Sequence, residues 1–278
     1  MKKKLVLLLG CIFMIFAFTG CGVAADMNAK INSKGAGTFK LTSAYSKDFL
    51  EAIDEANAES GSTESVFDEL KKVTIDGKTY YGQTVSVRFA KASELESLLT
   101  DYKNYNKKVK ADDMTLTSNL FDQVYVSGSD FVGYPSKVAF GGMSDTKKYE
   151  EQRGEEDLSD VLDTYVGFSV TFDKKIVSTN GTLSKDKKTV TWDDKTLAKG
   201  KKLYAYTSAK KVSAKTNIKN AKTYKKSVVV KLTGGKGSMY LNGVRIWSGK
   251  KITKVGNHKL VILGQDGVRR TYKFKIIK

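Results

Sequence analysis

Few side chains in this sequence have the chemistry for nucleophilic catalysis or metal binding. The chain contains two cysteines, Cys11 and Cys21, and one histidine, His258. A serine or cysteine nucleophile needs a neighbouring base, so such a site would have to use His258. That residue stands beside Gly256 and Asn257 at the start of a predicted strand, with no nucleophile motif around it. We therefore expect His258 to be exposed at the edge of a loop, and no zinc site is predicted.

Neighbouring carboxylates are the remaining candidates for acid–base chemistry or calcium binding. They occur at positions 150–151, 155–157 and 193–194. Glycoside hydrolysis needs two carboxylates that converge across a cleft, whereas adjacent acids in a charged loop point apart and stay solvated. The Asp-x-Asp-x-Asp-Gly pattern of a calcium loop is missing. The sequence thus predicts a protein that is not an enzyme, with no metal site and no diffusible cofactor.

Cys21 follows a segment with the layout of an export signal. Residues 2–4 are lysines, residues 5–18 carry no charge and are mostly apolar, and small residues lead up to Gly20. These features are typical of the three regions of a secretory signal. The alternative is an uncleaved membrane-spanning anchor, but crossing a bilayer takes about 20 apolar residues, more than residues 5–18 supply. We predict cleavage between Gly20 and Cys21, which makes residues 1–20 a signal peptide.

The sequence Phe18-Thr19-Gly20-Cys21 resembles the lipobox of bacterial lipoproteins, with Phe18 where that family usually has Leu. In the family, the signal is cut before the cysteine and the thiol carries diacylglycerol. The resemblance implies that Cys21 is the lipidation site, with a covalent diacylglycerol and acyl chain such as palmitate as its only prosthetic group. It further implies a lipid-anchored protein on the extracytoplasmic face of the cell membrane.

Positive charge is concentrated in the last third of the chain. Residues 195–278 contain 23 Lys and Arg against one acid, Asp266, which gives a net charge of +22. Residues 21–194 hold 22 basic and 29 acidic residues, a net charge of −7. Such asymmetry points to an anionic partner. Export argues against nucleic acid and favours anionic cell-envelope polymer or lipid headgroups. A lysine-rich surface that merely aids solubility is the alternative.

The chain beyond the signal is long enough for two domains, and the first of them mixes strand and helix patterns. Hairpins are predicted over residues 27–45 and 73–89, the second with Gly77 at its turn, since glycine accepts positive φ. Residues 166–172 alternate in a way typical of a half-buried antiparallel strand. These patterns predict an α+β domain over residues 21–206, with an antiparallel sheet and short helices.

One helix of this domain has a recognisable start. Ser93 and Glu96 have the three-residue spacing of a capping box, in which the glutamate reaches back to the backbone at the N-cap. Leu95, Leu98 and Leu99 then supply an apolar face. The pattern predicts that Ser93 caps the helix and that Glu96 is its capping partner.

Several segments in residues 21–206 are similar to the LppM-like domain of bacterial lipoproteins. They are residues 72–81 (KVTIDGKTYY), 170–173 (VTFD), 179–181 (TNG) and 190–192 (VTW). The resemblance spans about two-thirds of the chain. It implies an exported α+β domain with a role such as lipid or envelope binding.

The last part of the chain has an all-β pattern. Residues 207–222, rich in Ser, Ala, Thr and Lys, are predicted to be a basic linker or a ragged first strand. Short alternating runs and turns at Asn242-Gly243 and Asp266-Gly267 predict a β-sandwich over residues 223–278. The segments that resemble the Ig-like domains of bacterial surface proteins are 240–243, 249–253, 255–262 and 272–276. This resemblance implies an accessory or binding module.

Four residues of this module are candidate contacts for a polyanion or glycan: Arg245, Trp247, Lys250 and Lys251. Strand alternation places Arg245 and Trp247 on one face, where stacking and cationic contacts suit such ligands. A core position for Trp247 is the alternative. The predicted function is a non-catalytic surface lipoprotein that binds anionic envelope polymer through its basic C-terminal domain. Two alternatives remain open: a receptor for lipid or a small ligand with a pocket in the N-terminal domain, and a structural spacer.

Overall fold

The computed structural model describes residues 22–59, 65–109, 114–141 and 165–278. Gly20 and Cys21 lie outside the described residues, as do the acidic runs 150–151 and 155–157. The described chain is mostly β-structure with several open sheets. None of its helices within these ranges has the length and apolar character needed to cross a bilayer.

The first sheet belongs to the N-terminal part of the chain and has seven strands. They are β1 (Val23–Ile31), β2 (Gly37–Tyr45), β3 (Lys71–Ile75), β4 (Lys78–Phe89), β7 (Tyr165–Phe172), β9 (Thr182–Leu183) and β10 (Thr189–Trp192), in the order β3-β4-β2-β1-β7-β10-β9. Both predicted hairpins are confirmed, as β1–β2 and β3–β4. Asp76 and Gly77 at the second turn have φ values of 50° and 78°, as a two-residue hairpin turn requires.

Strand β7 differs from the prediction for residues 166–172. It pairs in parallel with β1 and antiparallel with β10, so the sheet is mixed. The strand is also buried on both faces rather than one. Gly167 lies beneath the Tyr165 ring, and Ser169 accepts a hydrogen bond from Asn28 Nδ2 at 2.7 Å. The small residues of the alternation therefore mark close packing at the centre of the sheet, not exposure to solvent.

A second sheet and the helices complete the N-terminal part. The sheet has the order β5-β6-β11-β8, formed by β5 (Phe121–Val126), β6 (Asp130–Pro135), β8 (Ser178–Thr179) and β11 (Leu203–Tyr206). The helices are α1 (Lys47–Glu59), a 3-10 turn (Val66–Glu69), α2 (Ala92–Thr100), α3 (Tyr102–Lys108), α4 (Lys137–Phe140) and α5 (Asp194–Ala198). Aromatic rings fill the space between the two sheets: Phe168 lies 4.9 Å from Phe121 and 5.9 Å from Trp192, centroid to centroid.

The C-terminal part consists of two layers of short strands. One layer is a five-stranded sheet with the order β13-β20-β19-β16-β17, formed by β13 (Lys222–Lys225), β16 (Gly237–Leu241), β17 (Val244–Ile246), β19 (Gly256–Gly264) and β20 (Arg269–Ile277). The other contains the pairs β12 (Lys215–Thr216) with β15 (Leu232–Gly234), and β14 (Val228–Val230) with β18 (Lys250–Ile252). This arrangement is consistent with a β-sandwich, and the Ig-like assignment stays a prediction.

Residues 207–222 contribute to this C-terminal packing. They include β12, and Ala214 and Ile218 are buried in the same core as Val230 and Phe274. The Asn242-Gly243 turn joins β16 and β17 with φ values of 51° and 86°. This turn is as the sequence predicts, because asparagine and glycine tolerate the left-handed backbone.

The prediction of an exposed His258 is wrong. The side chain is in β19, is 5% exposed and stacks on Phe274 with ring centroids 5.2 Å apart. Its Nε2 lies 2.7 Å from the carbonyl oxygen of Lys254, and its Nδ1 lies 3.4 Å from the Asn242 amide nitrogen. His258 is therefore a packed core residue whose polar atoms are occupied by neighbouring backbone and side chain.

Candidate functional site

One face of the five-stranded sheet in the C-terminal part lies partly against the N-terminal part of the chain and is partly exposed to solvent. Residues paired directly across strands lie on the same face of a sheet. One row across this face contains Arg245, Tyr240, Val261 and Thr271, and the adjacent row on β19 and β20 begins with Lys259. Tyr240 and Arg245 of the first row contact the N-terminal part of the chain, whereas Thr271 and the lysines of the second row are exposed to solvent.

The contact with the N-terminal part covers an exposed sheet edge. Strand β5 is the terminal strand of its sheet, so its outward backbone groups need partners. The Tyr240 hydroxyl accepts from the Val124 N–H and donates to the Val124 carbonyl, both at 2.7 Å. Burial raises the pKa of Tyr240 well above its ordinary value, so this hydroxyl stays protonated and remains a donor.

Glu96 is the polar centre of this contact. Its Oε1 accepts from the Val126 N–H at 2.9 Å and from the Ser238 hydroxyl at 2.7 Å. Its Oε2 accepts from Arg245 Nε at 2.9 Å and Nη2 at 2.6 Å. With the Glu96 side chain 3% exposed and that of Arg245 12% exposed, this is a buried ion pair between two parts of the chain.

The capping-box prediction for Ser93 and Glu96 is therefore wrong. The helix begins two residues earlier than that motif requires, with Lys91 at its N-cap and no side-chain cap. Glu94 supplies the local contact, because its Oε2 accepts from the Ala90 N–H at 3.3 Å. Glu96 lies at the edge of the apolar face made by Leu95 and its neighbours. A charged residue at the edge of an apolar helix face was the one feature of the sequence that indicated a buried ionic partner for Glu96.

Arg245, one of the four candidate ligand contacts, is fully engaged inside the protein. Beyond Glu96, its Nη1 donates to the carbonyl oxygens of Met239, at 3.2 Å, and Ile246. Its positive charge is balanced by Glu96 and its donors point at fixed acceptors. The structure thus assigns Arg245 to the contact between the two parts and removes it from the freely available cations.

The exposed row of the same face carries cations that have no such partner. Lys259 and Lys273 are direct cross-strand partners, Lys275 follows on β20, and Lys225 lies alongside on β13. All four are exposed. Among the described residues, none of them forms an ion pair; in residues 195–278 only Arg245 and Arg270 do. We call these four residues the lysine face.

The three other candidate contacts lie away from the lysine face. Trp247 follows β17 and is 50% exposed, so the alternative of a core position does not apply. The Arg245 guanidinium carbon lies 4.1 Å from the centroid of its ring, so the two side chains are in contact; their role as ligand contacts stays a prediction. Lys250 and Lys251 are exposed on β18, in the other layer of the C-terminal part.

The acidic pair at 193–194 has a structural role. Asp193 caps α5, since its Oδ1 accepts from the Thr196 N–H at 2.9 Å. Burial raises the pKa of Asp193, but the hydrogen bonds from Thr196 outweigh that effect and hold the pKa below its ordinary value. The carboxylate is therefore ionised and occupied. Among the described residues, no three His, Cys, Asp or Glu side chains come together as a metal site.

Comparison with known proteins gives distant structural similarity and no match by sequence. No protein-family model matches the chain, and no curated protein matches it. Among solved structures, the folded domain of LppM from Mycobacterium tuberculosis, determined by NMR, is 16% identical, with 69% of this chain and 94% of that chain covered and a TM-score of 0.34. The LppM-like resemblance of the sequence thus has a weak structural neighbour, too distant to transfer a function.

Proposed function

We propose that this protein is a non-catalytic lipoprotein, anchored through Cys21 to the extracytoplasmic face of the membrane, that binds an anionic cell-envelope polymer through its lysine face. The observation that carries the proposal is the direct pairing of Lys259 with Lys273. Like charges in such a pair destabilise a sheet. An arrangement that is unfavourable in the free protein becomes favourable when polyanionic ligand lies across it.

The shape of the surface supports a polymer rather than a small anion. The lysine face runs over three adjacent strands, β13, β20 and β19, and is not enclosed by other elements. Exposed lysines provide point charges on long flexible stems. Such groups suit repeated phosphate or carboxylate groups of a chain whose conformation varies.

The test uses the full chain in non-ionic detergent and purified teichoic acid as the polymer. We expect binding that weakens steeply as salt rises, because exposed charges are screened. Replacing Lys259, Lys273 and Lys275 with Gln should weaken binding by about 1 kcal/mol per lysine, roughly two orders of magnitude in total.

The matched control removes the same charge elsewhere. Lys174, Lys175 and Lys185 are exposed in the N-terminal part, and replacing them with Gln should change binding little. Equal losses from both triple variants would show that only net charge matters. Binding that is insensitive to salt would contradict the proposal outright.

A further inference from the structure

A groove separate from the lysine face lies where the two parts of the chain meet. It has a volume of about 500 Å³ and is lined by the start of α2, by α3 and by Trp247. The walls offer three uncharged polar side chains, Ser93, Ser97 and Asn104. This groove thus combines one exposed aromatic ring with hydroxyl and amide groups.

The aromatic ring of the groove is held in place from one side. The Arg245 guanidinium stacks on the Trp247 indole, and Glu96 fixes that guanidinium through two hydrogen bonds. A cation over one face of an indole is attracted by the negative electrostatic potential of that face, which arises from the ring quadrupole. Half of the Trp247 side chain remains exposed despite this contact, which makes it a pre-ordered stacking surface.

The charges of the groove are largely cancelled within the protein. Lys108 Nζ lies 3.5 Å from Glu94 Oε2, and the Arg245 charge is taken by Glu96. Lys91 is the remaining charged side chain of the lining. In contrast to the lysine face, the groove is therefore suited to a ligand with little or no charge.

We propose that this groove binds a neutral oligosaccharide, with one pyranose ring packed on Trp247. The C–H bonds on one side of a pyranose carry partial positive charge, which complements the negative face of an indole. Asn104 Nδ2 donates to Ser97 Oγ at 3.0 Å, which leaves the Ser97 O–H, the Asn104 carbonyl oxygen and the Ser93 hydroxyl to exchange hydrogen bonds with ring hydroxyls. The site goes beyond the proposed polymer contact and does not depend on it.

The location of the two tryptophans makes the proposal directly measurable. Trp192 is 1% exposed, whereas Trp247 is 50% exposed, so quenching by acrylamide reports mainly on Trp247. The probes are chitotetraose, cellotetraose, maltotetraose and mannotetraose, added to the full chain in a polyoxyethylene detergent that carries no sugar. We expect saturable protection of the fluorescence from quenching by at least one of these probes.

Variants then assign the binding to the groove. Trp247→Ala should weaken the affinity, measured by calorimetry, by about tenfold, and Trp247→Phe should restore most of it. Val244→Ala, at an exposed position on the same hairpin, is the control and should bind as the parent does. The lysine-face triple variant should also bind the sugar normally, which separates this site from the polymer contact.

Two outcomes would overturn the proposal. One is that none of the four tetrasaccharides protects Trp247 in the unmodified chain, a result that needs no variant to interpret. The other is that Trp247→Ala, with an unchanged thermal midpoint, binds the sugar as tightly as the parent.

Discussion

Arg245 and Lys259 lie on the same face of the same sheet, but within the described part of the chain Arg245 is in an ion pair and Lys259 is not. Arg245 is enclosed and paired with Glu96, a residue 149 positions away in sequence. Lys259 lies opposite another lysine and, among the described residues, has no acidic partner. The difference teaches that the basic residues of this part are not equivalent. One arginine joins the two parts of the chain, whereas the lysines of the lysine face have no acidic partner among the described residues.

The largest expected effect comes from breaking the buried pair. Glu96→Gln leaves the Arg245 charge enclosed without a counter-charge, which should lower the free energy of unfolding by about 3 kcal/mol. The measurement is urea denaturation. The control is Glu94→Gln, which breaks the more exposed pair with Lys108 and should cost less than about 1 kcal/mol. Similar losses of unfolding free energy in the two variants would show that the buried Glu96–Arg245 pair matters no more for stability than the exposed Glu94–Lys108 pair.

A smaller effect is expected at the same contact from removal of one hydroxyl. Tyr240→Phe leaves the N–H and carbonyl of Val124 without the partner they have here. An unsatisfied buried polar group costs about 1–3 kcal/mol, so we expect a loss in that range on urea denaturation. Hydrogen exchange should show the amide of Val124 losing protection. An unchanged exchange rate would mean that the Tyr240 hydroxyl is not what protects this strand edge.

The opposite sign is expected on the lysine face. Lys273→Thr removes the repulsion with Lys259 and should raise the free energy of unfolding by about 0.3 kcal/mol at low salt. The gain should vanish at high salt, because exposed charges are then screened. Lys275→Thr is the control, since Asn257 is its direct cross-strand partner. A loss of stability in Lys273→Thr would show that the lysine pair is not strained.

The smallest effect concerns a carboxylate in the N-terminal sheet. Burial raises the pKa of Asp26 above its ordinary value of 3.8, so the folded state binds the proton more tightly than the unfolded state. Stability is therefore lost as pH rises from about 3.8 through the raised pKa. Asp26→Asn should be more stable than the parent at pH 7, and the difference should disappear in acid.

The matched control for this pH dependence is Asp122→Asn, at an exposed position on β5. Thermal midpoints of both variants would be followed across the acid range. A parent curve and an Asp26→Asn curve that stay parallel at every pH would remove Asp26 as the source of the effect.

Local features of the fold could be predicted from sequence because short segments determine them. The turns at Asp76-Gly77 and Asn242-Gly243 need residues that accept positive φ, and few residues do so. Pairing between distant segments could not be predicted in this way. β7 is paired with β1 across more than a hundred residues, and no feature of residues 166–172 alone specifies a parallel neighbour.

In the candidate site, too, local properties could be predicted from sequence and contacts between distant segments could not. Composition predicted the positive charge, but the register of β19 on β20 is what places Lys259 opposite Lys273. A one-residue change of register would have moved either lysine to the other face. Likewise, the sequence placed Glu96 in a helix, yet its carboxylate accepts four hydrogen bonds from three residues, one on β5 and two on strands 142 and 149 positions later.

Strand β1 is the element that would bear load in the proposed state, with Cys21 acylated and the lysine face bound to polymer. The described backbone begins at Gly22, whose φ is +57° and whose carbonyl accepts a hydrogen bond from the Ser46 N–H at 2.6 Å. From Val23 onward, β1 is bonded on one side to β2 and on the other to β7. With an acyl chain on Cys21, tension between membrane and wall would load both ladders in shear at once.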